Sequence, residues 1–186
     1  NNNQKCIMNL LYDVLEYFAR FPERDAVIRM FNKGKSNYSV YGELLSKIQN
    51  APVGEHSLFP EIQDFIFDVT EETVIKKIDS IGGIFLFVDY GDIRTEELFP
   101  VKVRQNVFTL ALTIAKRVNE RDFDNIERLI IADEMYALLQ RVIEVMRKDS
   151  DPFTKRIAFP YTLTPAIART IFQSVGWTVK FDVKEI

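Results

Sequence analysis

Apolar residues recur at helical spacing in two long stretches of the chain and at strand spacing in two others. Ile7, Leu10, Leu11, Val14, Leu15 and Phe18 fall at i, i+3, i+4, i+7, i+8 and i+11, so one helix is predicted from Lys5 to Phe21, stopped by Pro22. Leu129, Ala132, Met135, Leu139, Val142, Ile143 and Met146 give a second stripe on a longer helix, Asn125 to Lys148. Asp124 with Glu127 opens it as a capping box, and Glu144 to Lys148 is a favourable i,i+4 pair. Between these helices the period changes. From Lys102 to Val118, Phe108, Leu110, Leu112 and Ile114 alternate with Val107, Thr109, Ala111, Thr113 and Ala115, the period of a strand with one large and one small face. Unbroken, Arg104 to Arg117 would span roughly 45 Å, against a diameter of about 40 Å for a domain of this length. This strand is therefore expected to bend or to run past its own domain. Trp177, Val179, Phe181 and Val183 alternate with Thr178, Lys180, Asp182 and Lys184 in a C-terminal strand after Gly176, with one core face and one wet face.

Shorter runs fill in the order. Ala26 to Phe31 is expected to be a short strand, Asn32 to Asn37 a turn, Tyr41 to Gln49 a weaker helix and Ala51 to Pro60 a loop. Phe65 to Val69 is expected to be a strand. Thr70 then caps a two-turn helix that begins Glu71-Glu72, buries Val74, Ile75 and Ile78, and breaks at Gly82-Gly83. Ile84 to Val88 is apolar at every position, the mark of a strand buried on both faces, and Asp89-Tyr90-Gly91-Asp92 is expected to end it. Thr164-Pro165 looks like an N-cap followed by N1, opening a helix to about Phe172. Strands follow one another before the main helix, so the expected class is α+β. It is a mainly antiparallel sheet with an N-terminal helix and one long helix packed on one face, in a single domain over residues 1–186.

Composition narrows the chemistry. The chain has 15 Phe, 7 Tyr and 1 Trp against 7 Gly and 7 Pro, enough for a sizeable core. A net charge of −3 argues against a broad basic nucleic-acid face, so no nucleic-acid partner is expected. No apolar run approaches the roughly 18 residues of a membrane helix, and a cytoplasmic location is expected. The single Cys, Cys6, and the single His, His56, exclude an intramolecular disulfide and a His/Cys zinc site. Any Ser–His or Cys–His catalytic pair would have to use His56, which lies in a Gly/Pro loop and is expected at the surface. Gly34-Lys35-Ser36 matches the tail of a phosphate-binding loop, but Arg29 stands where the motif needs its first glycine. Asp89 and Asp92, with Glu96 and Lys102 beyond, could form a metal-dependent nuclease site, an alternative function. Glu96-Glu97 and Asp133-Glu134 are adjacent, so they point apart and make poor acid–base pairs. Trp177 is expected to anchor the core. No catalytic residue, metal ligand or cofactor is assigned.

In the order of these elements the chain resembles the small proteins of bacteriophage tail-terminator and tail-completion type. The matching pieces are Ile7 to Phe18, Gly82 to Asp92, the alternating Val107 to Ala115, Asn125 to Lys148, and Gly176 to Phe181. Asn32 to Thr73 is longer than a minimal member needs. The resemblance implies a non-enzymatic structural subunit, partnered by copies of itself in a ring and by other tail or neck proteins, and virion-associated. An uncharacterised cytoplasmic α+β interaction or regulatory module is the alternative without a phage role. Under either reading the expected contact residues are Asp89, Tyr90, Asp92 and Arg94 on the loop after the buried strand. Asn119, Glu120 and Arg121 in the turn before the long helix come next.

Overall fold

The computed structural model describes residues 10–33, 36–69, 71–98, 100, 103–119, 121–166 and 173–184. It has helices α1 (Leu10–Phe18), α2 (Arg24–Ile28), α3 (Ser39–Gln49), α4 (Glu71–Asp79) and α5 (Asn125–Lys148). Its strands are β1 (Asp64–Phe67), β2 (Ile84–Leu98), β3 (Val103–Arg117), β4 (Ile157–Pro165) and β5 (Ser174–Lys184). They form one sheet in the order β1-β2-β3-β5-β4, parallel only between β1 and β2. The fold is α+β, as the alternation of helical and strand periods requires.

The large face of β3 carries the main core. Leu110, Leu112 and Ile114 are fully buried there with Val179, Phe181 and Val183 of β5 and Leu86 and Val88 of β2. Both α1 and α5 pack on this face. Phe18 meets Phe181 with ring centroids 6.4 Å apart, and the Trp177 indole N–H donates to the Ala132 carbonyl of α5 at 2.9 Å. Burying three or four such side chains, at ~1.5–3 kcal/mol each, outweighs any cap or surface pair in fixing α5. The second face is half covered. Val74 and Ile78 of α4 lie with Ile66, Phe85, Phe87 and Ala115, and Arg117 donates to the Ile78 and Ile81 carbonyls to hold the end of α4 down.

Several expectations are met by position. The α5 span and its capping box are as the sequence implies, with the Asp124 carboxylate accepting from the Ile126 and Glu127 N–H groups at 2.8 Å. Glu144 and Lys148 pair at 2.7 Å. The Tyr41–Gln49 helix begins two residues earlier, at Ser39. Lys5 to Asn9, Gly34, Lys35, Thr70, Lys102 and Glu120 lie outside the described residues.

Other expectations are corrected. The first helix ends at Phe18 rather than Phe21, because Arg20 and Phe21 tighten onto Tyr17 and Phe18 by i→i−3 bonds before Pro22. Ala26 to Phe31 is not a strand. Arg24–Ile28 is helical and buries adjacent Ala26 and Val27 together, which a strand would send to opposite faces. Asp89 to Asp92 does not end the buried strand. The partner of Tyr90 is Leu110 and that of Ile93 is Phe108, so Gly91-Asp92 inserts one residue as a bulge and β2 continues to Leu98. Thr164 and Pro165 do not start a helix but close β4 opposite Thr178 and Trp177. Pro is tolerated there because β4 is an edge strand. The rest of that expected helix, 167–172, lies outside the described residues. Ile75 and Leu129 were expected in buried stripes but are 36% and 65% exposed.

Candidate interaction surface

The register fixes where each expected contact residue sits. Asp89 stands opposite Ala111, so it lies on the half-covered second face; Tyr90 is on the core face, its ring stacked on Phe67 at 4.8 Å. The two neighbours therefore point apart. Asp92 lies in the bulge and is exposed. Arg94, opposite Val107, returns to the second face, where it forms a network. Its guanidinium donates to Asp182 at 2.7 Å and to Glu96 at 2.8 Å, and Thr109 donates its hydroxyl to Asp182 at 3.0 Å. Hydrogen bonding by Arg94, and then by Thr109, holds the Asp182 carboxyl below the usual range despite some desolvation. The bonds to Asp182 and then to Glu96 push the Arg94 guanidinium up. Asp89 goes the other way: burial raises it, Lys180 opposes the rise and Asp92 adds to it.

Among the described residues no group of three or more His, Cys, Asp or Glu side chains is placed to hold a metal ion. Of the carboxylates considered for a nuclease, Glu96 is engaged by Arg94.

Asn119 and Arg121 sit at the other end of β3. The Asn119 side chain accepts from the Arg121 N–H at 3.3 Å and its carbonyl from the Asp122 N–H at 3.0 Å, closing the turn into α5. Ten residues of β3 separate Val107 from Arg117, roughly 33 Å. The two expected clusters are thus not one site but opposite ends of the sheet.

Each end carries exposed apolar surface that the sequence reading did not single out. At the first, β2 and β3 pair with each other as far as Leu98 and Val103, while the described part of β5 pairs with β3 as far as Lys184, opposite Val107. Past Val107 the described ladder is β2 with β3, and Ile93, at the start of that stretch, is 60% exposed. At the other end the opening turns of α5 show Ile126, Leu129 and Ile130 at 64%, 65% and 53% exposure. The signal was present as an apolar arc too wide for one face: Ile126, Leu129, Ile130 and Ile131 cover most of the helix circumference, and only Ile131 is buried. No described helix is long and apolar enough to cross a membrane.

His56 is partly exposed, at the surface as expected, with its ring nitrogens meeting Arg24 and Ser57. It lines a cleft of about 630 Å³ between α1, the end of α3, the 50–56 loop and residues 151–156. The chain matches no protein family, no curated protein sequence and no solved structure.

Proposed function

We propose that this chain is a non-enzymatic structural or assembly subunit of bacteriophage tail-terminator or tail-completion type. It works through protein–protein contacts with copies of itself in a ring and with other tail or neck proteins, in the cytoplasm and then on the virion. The observation that carries this reading is the placement of two unlike exposed surfaces at opposite ends of β3. One is the outer part of the β2–β3 ladder with the exposed Ile93; the other is the Ile126-Leu129-Ile130 turn beside Asn119 and Arg121. Two different patches facing away from each other suit a heterologous, head-to-tail contact, the kind that closes into rings; a two-fold dimer would use one self-complementary patch.

Light scattering on size-exclusion fractions tests it. The expected mass is a fixed multiple of the 21.7 kDa subunit. Ile93→Asp blocks one end and Leu129→Asp the other. Both side chains are exposed, so the fold tolerates the change. Each variant alone is expected to be monomeric, and an equimolar mixture to form a 1:1 dimer through the one intact pair of ends. A wild type that remains monomeric at high concentration, both alone and with tail-tube protein, overturns the proposal.

A further inference from the structure

The cleft beside His56 holds four cationic side chains, and three have carboxylate partners. Lys47 pairs with Glu16 at 2.5 Å, Arg20 with Asp149 at 2.9 Å, and Arg156 with Asp13 at 3.7 Å. Arg24 has none among the described residues. Its Nη1 donates to the Gln49 carbonyl at 3.2 Å and its Nη2 to the Ala51 carbonyl at 2.6 Å, which clamps the guanidinium across the end of α3. Its Nε is buried and without a hydrogen-bond partner. Nη2 also meets His56 Nε2.

A guanidinium only donates, so His56 Nε2 must carry the lone pair there, and the ring proton is assigned to Nδ1. Nδ1 then donates to the Ser57 hydroxyl at 3.1 Å, which also accepts from the Arg24 backbone N–H at 3.0 Å. The loop is held in this shape by left-handed backbone at Gly54 (φ 94°) and at Ser57 (φ 51°), the latter costly for a non-glycine residue. Desolvation, and then the Arg24 charge, lowers the His56 pKa, consistent with a neutral ring. The result is a fixed positive charge in a concave site, compensated by carbonyl dipoles but by no anion, next to an imidazole that can become a second donor. Apolar surface from Ile48, Pro52 and Phe153 lines the same cleft, whose volume is that of a small-molecule site.

We infer that this cleft binds a small organic oxyanion, a carboxylate or a phosphate, seated on Arg24 and His56 with its apolar body against Ile48, Pro52 and Phe153. Arg24 still has an unused Nη1 proton for the anion. Binding turns Nε2 from acceptor to donor: His56 takes up a proton from solvent, leaves Arg24 and faces the anion. Glu55, exposed at the lip, repels the ligand, as do Asp13, Glu16 and Asp151 of the lining, which have Arg156, Lys47 and Arg20 beside them.

His56 is the chain's one histidine, so its imidazole gives a single resolved NMR signal. Phenyl phosphate and benzoate are the probes, with inorganic phosphate as the probe lacking an apolar body. The expected result is a saturable shift of the His56 Cε1–H, with at least one of the two organic probes moving its titration midpoint upward and binding about tenfold tighter for each unit that the pH falls through the window between the bound and free midpoints. Arg24→Lys, which keeps the charge but loses the fork, is expected to weaken binding about tenfold. Glu55→Gln at the exposed lip is expected to strengthen it. A shift that fails to saturate with either organic probe, or one unchanged by both substitutions, overturns the site. Inorganic phosphate binding as tightly as phenyl phosphate overturns the assignment of the apolar body.

Discussion

Asp89 and Asp182 stand on the same open face of the sheet, yet their surroundings drive them in opposite directions. Asp182 is lowered by Arg94 and Thr109, so the native state releases its proton more readily than the unfolded chain. Its contribution to stability is complete above the unfolded carboxylate pKa and is lost as pH falls through the lower native value. Asp89 is raised, chiefly by burial. Its protonated form favours the native state at low pH, and that contribution disappears as pH rises through the raised native value, leaving a cost at neutral pH. Urea unfolding at pH 7 is therefore expected to show Asp89→Asn as stabilising and Asp182→Asn as destabilising. At pH 3 both differences should shrink. Identical signs for the two variants at pH 7 would show that the sheet face does not separate them. The sequence indicated that Asp89 and Arg94 were polar punctuation near a strand. It could not indicate that Asp182, 88 positions from Arg94, completes the Arg94 network, because that pairing depends on the register of β5 against β3.

At the scale of elements, legibility followed length. The 24 residues of α5 contain enough turns for the helical period to be unmistakable, and the capping box fixed its start. The five residues of α2 contain little more than one turn, too short for period to decide between helix and strand. The bulge in β2 was misread because Gly91-Asp92 carries turn chemistry, and the same residue types serve a turn and a bulge. The open half of the second sheet face explains the other difficulty. A sheet with its two faces covered to different extents shows alternation on some strands and an unbroken apolar run on others. At Gly176, opposite Ala115, β5 leaves no room for a side chain: a Cβ there would meet the Ile114 carbonyl oxygen and lie 2.5 Å from the Ala115 Cα, neither of which can move without breaking the ladder. Gly42 lies within α3 with no atom within 4 Å of such a Cβ. Gly176→Ala is expected to cost about 3 kcal/mol or to prevent folding. Gly42→Ala is expected to add about 0.5–1 kcal/mol through helix propensity. Thermal unfolding of the two variants, side by side, checks both signs.

For the whole molecule, β3 is the axis on which the other parts are arranged. It pairs with β2 on one edge along its entire length and with β5 on the other from Val107 onward; it carries α1 and α5 on its large face and part of α4 on its small one. Its large face is buried from Phe108 to Ile114, and its two ends lead to the exposed surfaces proposed as contacts. That arrangement predicts a gradient of local stability. Amides of Leu112 to Ala115, bonded on both edges and with buried side chains on both faces, open only by global unfolding and should exchange slowest. Amides of Thr95 to Glu97 and Arg104 to Gln105 belong to the stretch where the described ladder has two strands, with mostly exposed side chains, so they should open locally and exchange orders of magnitude faster in the monomer. Hydrogen exchange can thus separate assembly from mere stability. In the Ile93→Asp monomer this outer part of the β2–β3 hairpin should exchange fast while the centre of β3 stays protected. In wild-type oligomer the hairpin and the opening turns of α5 should gain protection together, because a head-to-tail contact covers one of each at every junction. Protection gained at only one end would point to a two-fold dimer instead of a ring. Protection of the hairpin already present in the monomer would mean that the sheet holds it without a neighbour.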